Sequence, residues 1–221
     1  MISTNKNTRF LSARMSRLIF SIMLAVLPFL HTFAQSSLIE QEAPSTAIES
    51  EMNLELRTPQ VGPKLHTYIA AYMKHIGENL VREKYRVETM RQREVIIVTV
   101  PTDGMFRPNE TVLYPSAART LNRFKEFITP DHKFKLIITA HSDDTGSEDY
   151  LFDLTEGRIN AILDYYEAQG LSLDDIIGYP KADSAPIKPN TSIANRSANR
   201  RLEIYIVPND GLISEARRGR K

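Results

Sequence analysis

On a helical wheel of about 100° per residue, Leu151, Leu154, Thr155, Ile159, Ile162 and Tyr166 fall on a single stripe, and Arg158 lies inside it. A guanidinium on a core-facing stripe is costly unless it is paired or can reach the edge of a cleft. The pattern therefore asks for a carboxylate nearby. Asp143 and Asp144 stand one loop upstream, at the end of an apolar run and just before Gly146, which allows a tight entry into the helix. That places carboxylate and guanidinium near one another, beside the free N–H groups of a helix start. A ligand end carrying both an ammonium and a carboxylate, such as that of a diamino acid, matches the arrangement. Asp143 would take the ammonium and Arg158 the carboxylate, the latter by two parallel hydrogen bonds. The plainer alternative is that Asp143 or Asp144 caps the helix and Arg158 pairs internally with one of them. The residues alone leave both readings open.

An enzymatic use of the same segment would recruit His141, Asp143, Asp144 and Glu148 as metal ligands for hydrolysis. No distributed His/Asp/Glu set and no H-E-x-x-H helix supports it, and the sequence has no nucleophile elbow, P-loop or dinucleotide fingerprint. The expectation is a binding protein, not an enzyme, with no cofactor and no metal. The formal net charge of +1 over 221 residues gives no overall basic field for nucleic acid. At 42% hydrophobic and 25% charged residues, the chain can bury one ordinary globular core.

The elements that must position Asp143 and Arg158 are legible from periodicity. Leu65, Tyr68, Ile69, Tyr72, Met73, Ile76 and Leu80 mark an amphipathic helix. Tyr85 to Met90 and Val95 to Val100 read as strands around the turn Arg91-Gln92-Arg93-Glu94. A second helix opens at Pro115-Ser116, with Ala117, Leu121, Phe124 and Ile128 on one face, and ends at Thr129-Pro130. Phe134 to Ala140 is a short apolar strand, and the helix carrying Arg158 runs from about Ser147 to Gln169 with Gly170 closing it. A short strand over Ile176 to Tyr179 and a half-buried one over Arg200 to Val207 complete the set. This alternation predicts an α/β (α+β) sandwich, a small mixed β-sheet with helices packed on one face.

Around this core, Lys6, Arg9, Arg14 and Arg17 precede the apolar run Leu18 to Phe33, which predicts a signal peptide over residues 1–34, cleaved after Ala34. The run is broken by Pro28 and His31 and is shorter than the roughly 20 residues of a spanning helix. The chain has no cysteine for a disulfide or a lipid anchor. Residues 35–63 read as a flexible linker, 64–93 as a helix and lead-in strand, 94–208 as the main domain and 209–221 as a basic disordered tail.

Several ordered motifs resemble one known family. Ala140-His141-Ser142-Asp143 is similar to its G-[HY]-T-D; Gly146 and Tyr150 match the glycine and tyrosine that follow; and Leu154-Thr155-Glu156-Gly157-Arg158 resembles L-S-x-x-R, with the aspartate-to-arginine spacing of fifteen kept. Further on, Gly178, Pro186-Ile187, Asn190-Thr191, Asn195-Arg196 and Asn199-Arg200-Arg201 before Leu202-Glu203-Ile204 resemble its closing signature. The family is the OmpA-like C-terminal domain, as in outer-membrane protein A, the peptidoglycan-associated lipoprotein and MotB, and the resemblance covers roughly Val95 to Pro208. It implies a β/α sandwich that binds the peptidoglycan stem peptide non-covalently, with Asp143 and Arg158 gripping its diaminopimelate. By the same resemblance Arg196, Arg200 and Arg201 are candidate ligand residues, with bracing of the fold as their alternative role. Phe106 is expected in the core. The sequence departs from the family at Ala140, Leu151 and Ile159, and Leu151 removes an amide that would bond the peptide backbone. The implied place is the periplasm, associated with the outer membrane. The implied partners are peptidoglycan, outer-membrane or envelope proteins, and a second copy of the chain (a homodimer) should the Leu65–Leu80 helix prove to be a contact.

Overall fold

The structure, a computed structural model, describes residues 44–59 and 61–219. The expected signal peptide lies outside the described residues. Chain contacts divide the protein into two units, Met1–Asn53 and Leu54–Lys221. In the first unit begins α1 (Pro44–Glu55), so part of the stretch read as a flexible linker is helical. The reason is in its composition: a proline at the first helical position, then Ala, Glu, Met and Leu, all strong helix formers that a search for apolar periodicity overlooks.

Within the second unit the order is α2 (Pro63–Arg82), β1 (Arg86–Met90), β2 (Val95–Pro101), α3 (Ala117–Phe124), β3 (Phe134–His141), α4 (Glu148–Ala168), β4 (Ile176–Ala182), α5 (Ile193–Asn199), β5 (Arg201–Pro208) and α6 (Asp210–Arg218). The five strands form one mixed sheet in the order β1-β2-β5-β3-β4. Only β3 and β4 are parallel, and α4 supplies the crossover that a parallel pair needs.

Register explains the core. Ile96, Val98 and Val100 lie opposite Ile206, Ile204 and Leu202, which in turn lie opposite Leu136, Ile138 and Ala140. These nine side chains form one continuous apolar face, each at most 5% exposed. A buried Ile, Val or Leu contributes about 1.5–3 kcal/mol relative to exposure. Against this face lie α2 and α4. A Cβ on Gly77 would sit 3.8 Å from Ile96 Cδ1, and one on Gly178 would sit 2.2 Å from Ile159 Cγ2. Gly178 is thus what lets α4 approach the sheet.

Two expectations need correction. β5 is not half-buried: Tyr205 is 7% exposed and Val207 fully buried. It is a central strand flanked by β2 and β3, and its outward Glu203 accepts from Arg201 and Tyr205. Nor is 209–221 a disordered tail throughout, because α6 buries Leu212, Ile213 and Ala216. Asn209 caps it by accepting from the Asp210 N–H, Gly211 donates its N–H to His132 O at 3.0 Å, and Lys133 holds Glu215 at 2.7 Å. The helix at 64–93 and its strand belong to the same compact unit as the rest, since β1 pairs with β2 along its whole length. Among the described residues no helix is long and apolar enough to cross a membrane.

Candidate functional site

Three neighbouring strands end at one place. Pro101 of β2 and His141 of β3 both lie opposite Arg201, the first residue of β5. Antiparallel pairing therefore brings the residues just after β2, just after β3 and just before β5 side by side: Asp103, Asp143 and Arg200. Asp103 sits in a 3-10 turn, Thr102–Gly104, that starts as soon as β2 ends. Arg200 Nε and Nη2 donate to Asp103 Oδ1 and Oδ2, both at 2.7 Å, while its Nη1 donates to Asp143 Oδ2 at 2.6 Å. Ser197 Oγ, one turn earlier on α5, donates to Asp103 Oδ2 at 2.8 Å.

Asp143 is 7% exposed, and its Oδ1 accepts the Thr145 N–H at 2.9 Å. It does not cap α4; Ser147 does, its side chain accepting from the Tyr150 N–H. Gly146 makes the turn between them, with φ at +149°, where a Cβ would strike the Tyr150 ring at 2.7 Å.

Arg158 is where the helical wheel places it, 4% exposed on the core side of α4. Its Nε donates to Glu110 O at 3.1 Å, and its guanidinium carbon lies 5.1 Å from the centre of the Phe106 ring. Phe106 is core, as expected, and also the floor beneath Arg158. The loop bearing Glu110 reaches α4 at Gly157, where a Cβ would meet Thr111 Cγ2 at 2.6 Å. Arg158 forms no ion pair with Asp143. Among the described residues its two Nη groups have no hydrogen-bond partner.

The electrostatics follow from this layout. Burial works to raise the Asp143 carboxyl, but the bonds from Arg200 and Thr145 outweigh it and hold the group below the usual carboxylate range. Asp103 is held down first by Arg200 and then by Ser197. Arg200, bonded to both carboxylates, is raised. Burial pulls the Arg158 guanidinium down, only partly offset by Asp103, Tyr150 and Asp143, while Arg200 adds repulsion. The result is a buried, charged guanidinium whose Nη donors lack a partner, close to a carboxylate with unused lone pairs.

Arg200 alone of the three candidate arginines joins the pair. Arg196 Nη1 donates to Asn190 O at 2.9 Å and so holds the loop before α5. Arg201, 3% exposed, is spent on Glu203, Asn199 O and Ala185 O. Neither bonds Asp103, Asp143 or Arg158 among the described residues. Asp103 enters as a member of the site that the sequence pattern does not single out. No local signal marks it, because its partner Arg200 is 97 residues away. Asn199, named in the closing motif, is fully buried and braces the loop before α5, accepting the Ile187 and Lys188 N–H groups and donating to Lys188 O and Asn190 Oδ1. His141 does not turn toward Asp143. It packs with Thr139 and Glu203, and no cluster of three or more metal-ligating side chains occurs among the described residues.

Comparison with known proteins adds the relatives. Residues 105–200 match the model of the OmpA family. The chain is 25% identical over 140 residues to the probable lipoprotein YiaD of Escherichia coli, covering 62% of this chain and 64% of that one. It is 30% identical over 94 residues to the peptidoglycan-binding protein ArfA of Mycobacterium tuberculosis, covering 42% and 29%. The chain thus spans less than two thirds of the length of these relatives. Among solved structures, a putative MotB-like protein from Desulfovibrio vulgaris superposes with a TM-score of 0.57 at 21% identity, over 66% of this chain and 96% of that one. The motifs and the family match agree: residues 105–200 resemble the OmpA family, and the mixed sheet shares its fold with the MotB-like structure.

Proposed function

We propose that the domain binds peptidoglycan non-covalently, holding the free end of the stem peptide's diaminopimelate between Asp143 and Arg158. The observation that carries this reading is the state of Arg158: a guanidinium at 4% exposure, with Nε on Glu110 O and, among the described residues, no hydrogen-bond partner for its Nη groups. A buried cation left open in this way matches a carboxylate brought by a ligand, accepted by two parallel hydrogen bonds. Asp143 stands ready for the adjoining ammonium. The similarity over 94 residues to a protein named as peptidoglycan-binding supports the same ligand. The alternative, an assembly module that no longer binds the wall, would be favoured by an internally closed Asp143–Arg158 pair; Asp143 pairs with Arg200 instead. The work is recognition rather than catalysis, in the periplasm of a cell envelope after export by the N-terminal segment. Leu151 is buried against Gly146, so it offers the peptide no hydrogen bond.

Co-sedimentation of the purified chain with isolated sacculi tests the proposal. The parent should pellet with the wall, and Asp143→Asn and Arg158→Ala, each shown to be folded, should remain in the supernatant. Pelleting by all three would remove the site from the account.

A further inference from the structure

The charges of the site balance in a way that Asp143 and Arg158 do not explain by themselves. Asp103, Asp143, Arg158 and Arg200 are two carboxylates and two guanidiniums, so the empty site is neutral. Asp103 engages two edges of the Arg200 fork, Nε and Nη2, leaving only Nη1 for Asp143. Ser197 fixes the second Asp103 oxygen. Asp143 consequently keeps acceptor capacity on Oδ2, which takes Arg200 Nη1, while Oδ1 takes the Thr145 N–H.

When a ligand end bearing ammonium and carboxylate enters, each charge gains one opposite partner: ammonium with Asp143, carboxylate with Arg158, and Arg200 with Asp103. Without the Asp103 charge, Arg200 would fall wholly to Asp143, and an incoming ammonium would meet a site of net positive charge. We propose that Asp103 determines ligand specificity: by holding the Arg200 fork it reserves Asp143 for an ammonium and makes the site select zwitterionic ligand ends over purely anionic ones. This rests on the reading of Asp143 and Arg158 given above. Asp103 acts through Arg200 and Asp143 and is a positioning residue, not a contact of the ligand.

The test is titration of the intact chain with two probes of equal chain length, meso-diaminopimelate and pimelate, the second lacking both amino groups. The parent should prefer diaminopimelate. In Asp103→Asn the diaminopimelate affinity should fall about tenfold, the loss expected when one charge-assisted contact is spoiled, while pimelate binding holds or strengthens. Asp103→Glu should restore the preference. Ser197→Ala, which loosens Asp103 without removing its charge, should move it part of the way and stands in should Asp103→Asn not fold. An unchanged preference in folded Asp103→Asn, or an equal loss for both probes, overturns the inference and leaves the Asp143/Arg158 reading intact. A parent that binds neither probe overturns both.

Discussion

Arg158→Met is the substitution that tests whether the proposed binding role of Arg158 separates from its part in the fold. Methionine keeps an unbranched stem as far as the position of Nε and removes the rest of the guanidinium with its charge. On the cost side, the fold loses one charged hydrogen bond to Glu110 O, worth about 1.5–3 kcal/mol, and a contact with the Phe106 ring worth about 1 kcal/mol. Glu110 is exposed, so its carbonyl has water as a substitute partner. On the gain side, an incompletely paired guanidinium at 4% exposure carries a desolvation penalty of several kcal/mol that the variant no longer bears. Methionine also adapts to an apolar stripe between Leu154, Ile159 and Ile162. The balance is a variant as stable as the parent or more stable by up to about 2 kcal/mol, a rise of up to about 4–8 °C in Tm for a chain of this size. Loss of the paired carboxylate contact should weaken diaminopimelate binding by about 3 kcal/mol, roughly a hundredfold. Urea unfolding by circular dichroism gives the first quantity and titration calorimetry the second. A destabilisation of 3 kcal/mol or more would refute the reasoning, because it would make Arg158 a structural residue.

Asp143→Asn should fold normally and lose binding, as read by sacculus co-sedimentation beside a thermal melt. Gly178→Ala should destabilise by about 1–3 kcal/mol, since its Cβ would lie 2.2 Å from Ile159 Cγ2, and adding Ile159→Ala should restore part of the loss in a double-mutant cycle by urea unfolding. Buried among Glu203, Arg201 and Lys181, His141 is pushed below its ordinary 6.5 chiefly by burial. The unfolded chain therefore binds the extra proton first, so stability from this group is full above pH 6.5 and is lost as pH falls toward the folded value; His141→Gln should flatten that part of the stability–pH curve. Asp103 and Asp143 have the same sign at lower pH: both are depressed, so their contribution is full above the unfolded carboxylate range near pH 4 and is lost as pH falls through the folded values. Diaminopimelate binding measured across pH 3–7 should fall with them.

What the sequence makes legible follows the range of the interactions. The Arg158 stripe, the strand before Asp143 and the β1–β2 turn are written in local periodicity, and the structure places each within a residue or two. The family motifs locate Arg200 without saying what it does. Its role depends on three strands ending together, which is a property of sheet order, and its partners Asp103 and Asp143 are 97 and 57 residues away. Glu203 and Tyr205 mislead for the same reason. Alternation of polar and apolar residues along β5 reads as a half-buried strand with one solvated face, yet Arg201 and Tyr205 satisfy Glu203 inside the fold. Burial tends to raise that carboxyl, and His141, Tyr205 and Arg201 together hold it well below its usual range. In α6 the signal is too short to stand alone, since Leu212, Ile213 and Ala216 form a stripe only once α2 and β3 are there to receive it.

The central claim, that the Asp143/Arg158 site holds an ammonium and a carboxylate together, is tested most directly by calorimetric titration of the chain with meso-diaminopimelate and, in parallel, with Nα-acetyl-lysine amide, whose only charged group is a side-chain ammonium with no carboxylate beside it. Diaminopimelate should bind, and the blocked lysine should bind at least about a hundredfold more weakly, because it leaves Arg158 unpaired. Equal affinity for the two, or no binding of diaminopimelate, would contradict it.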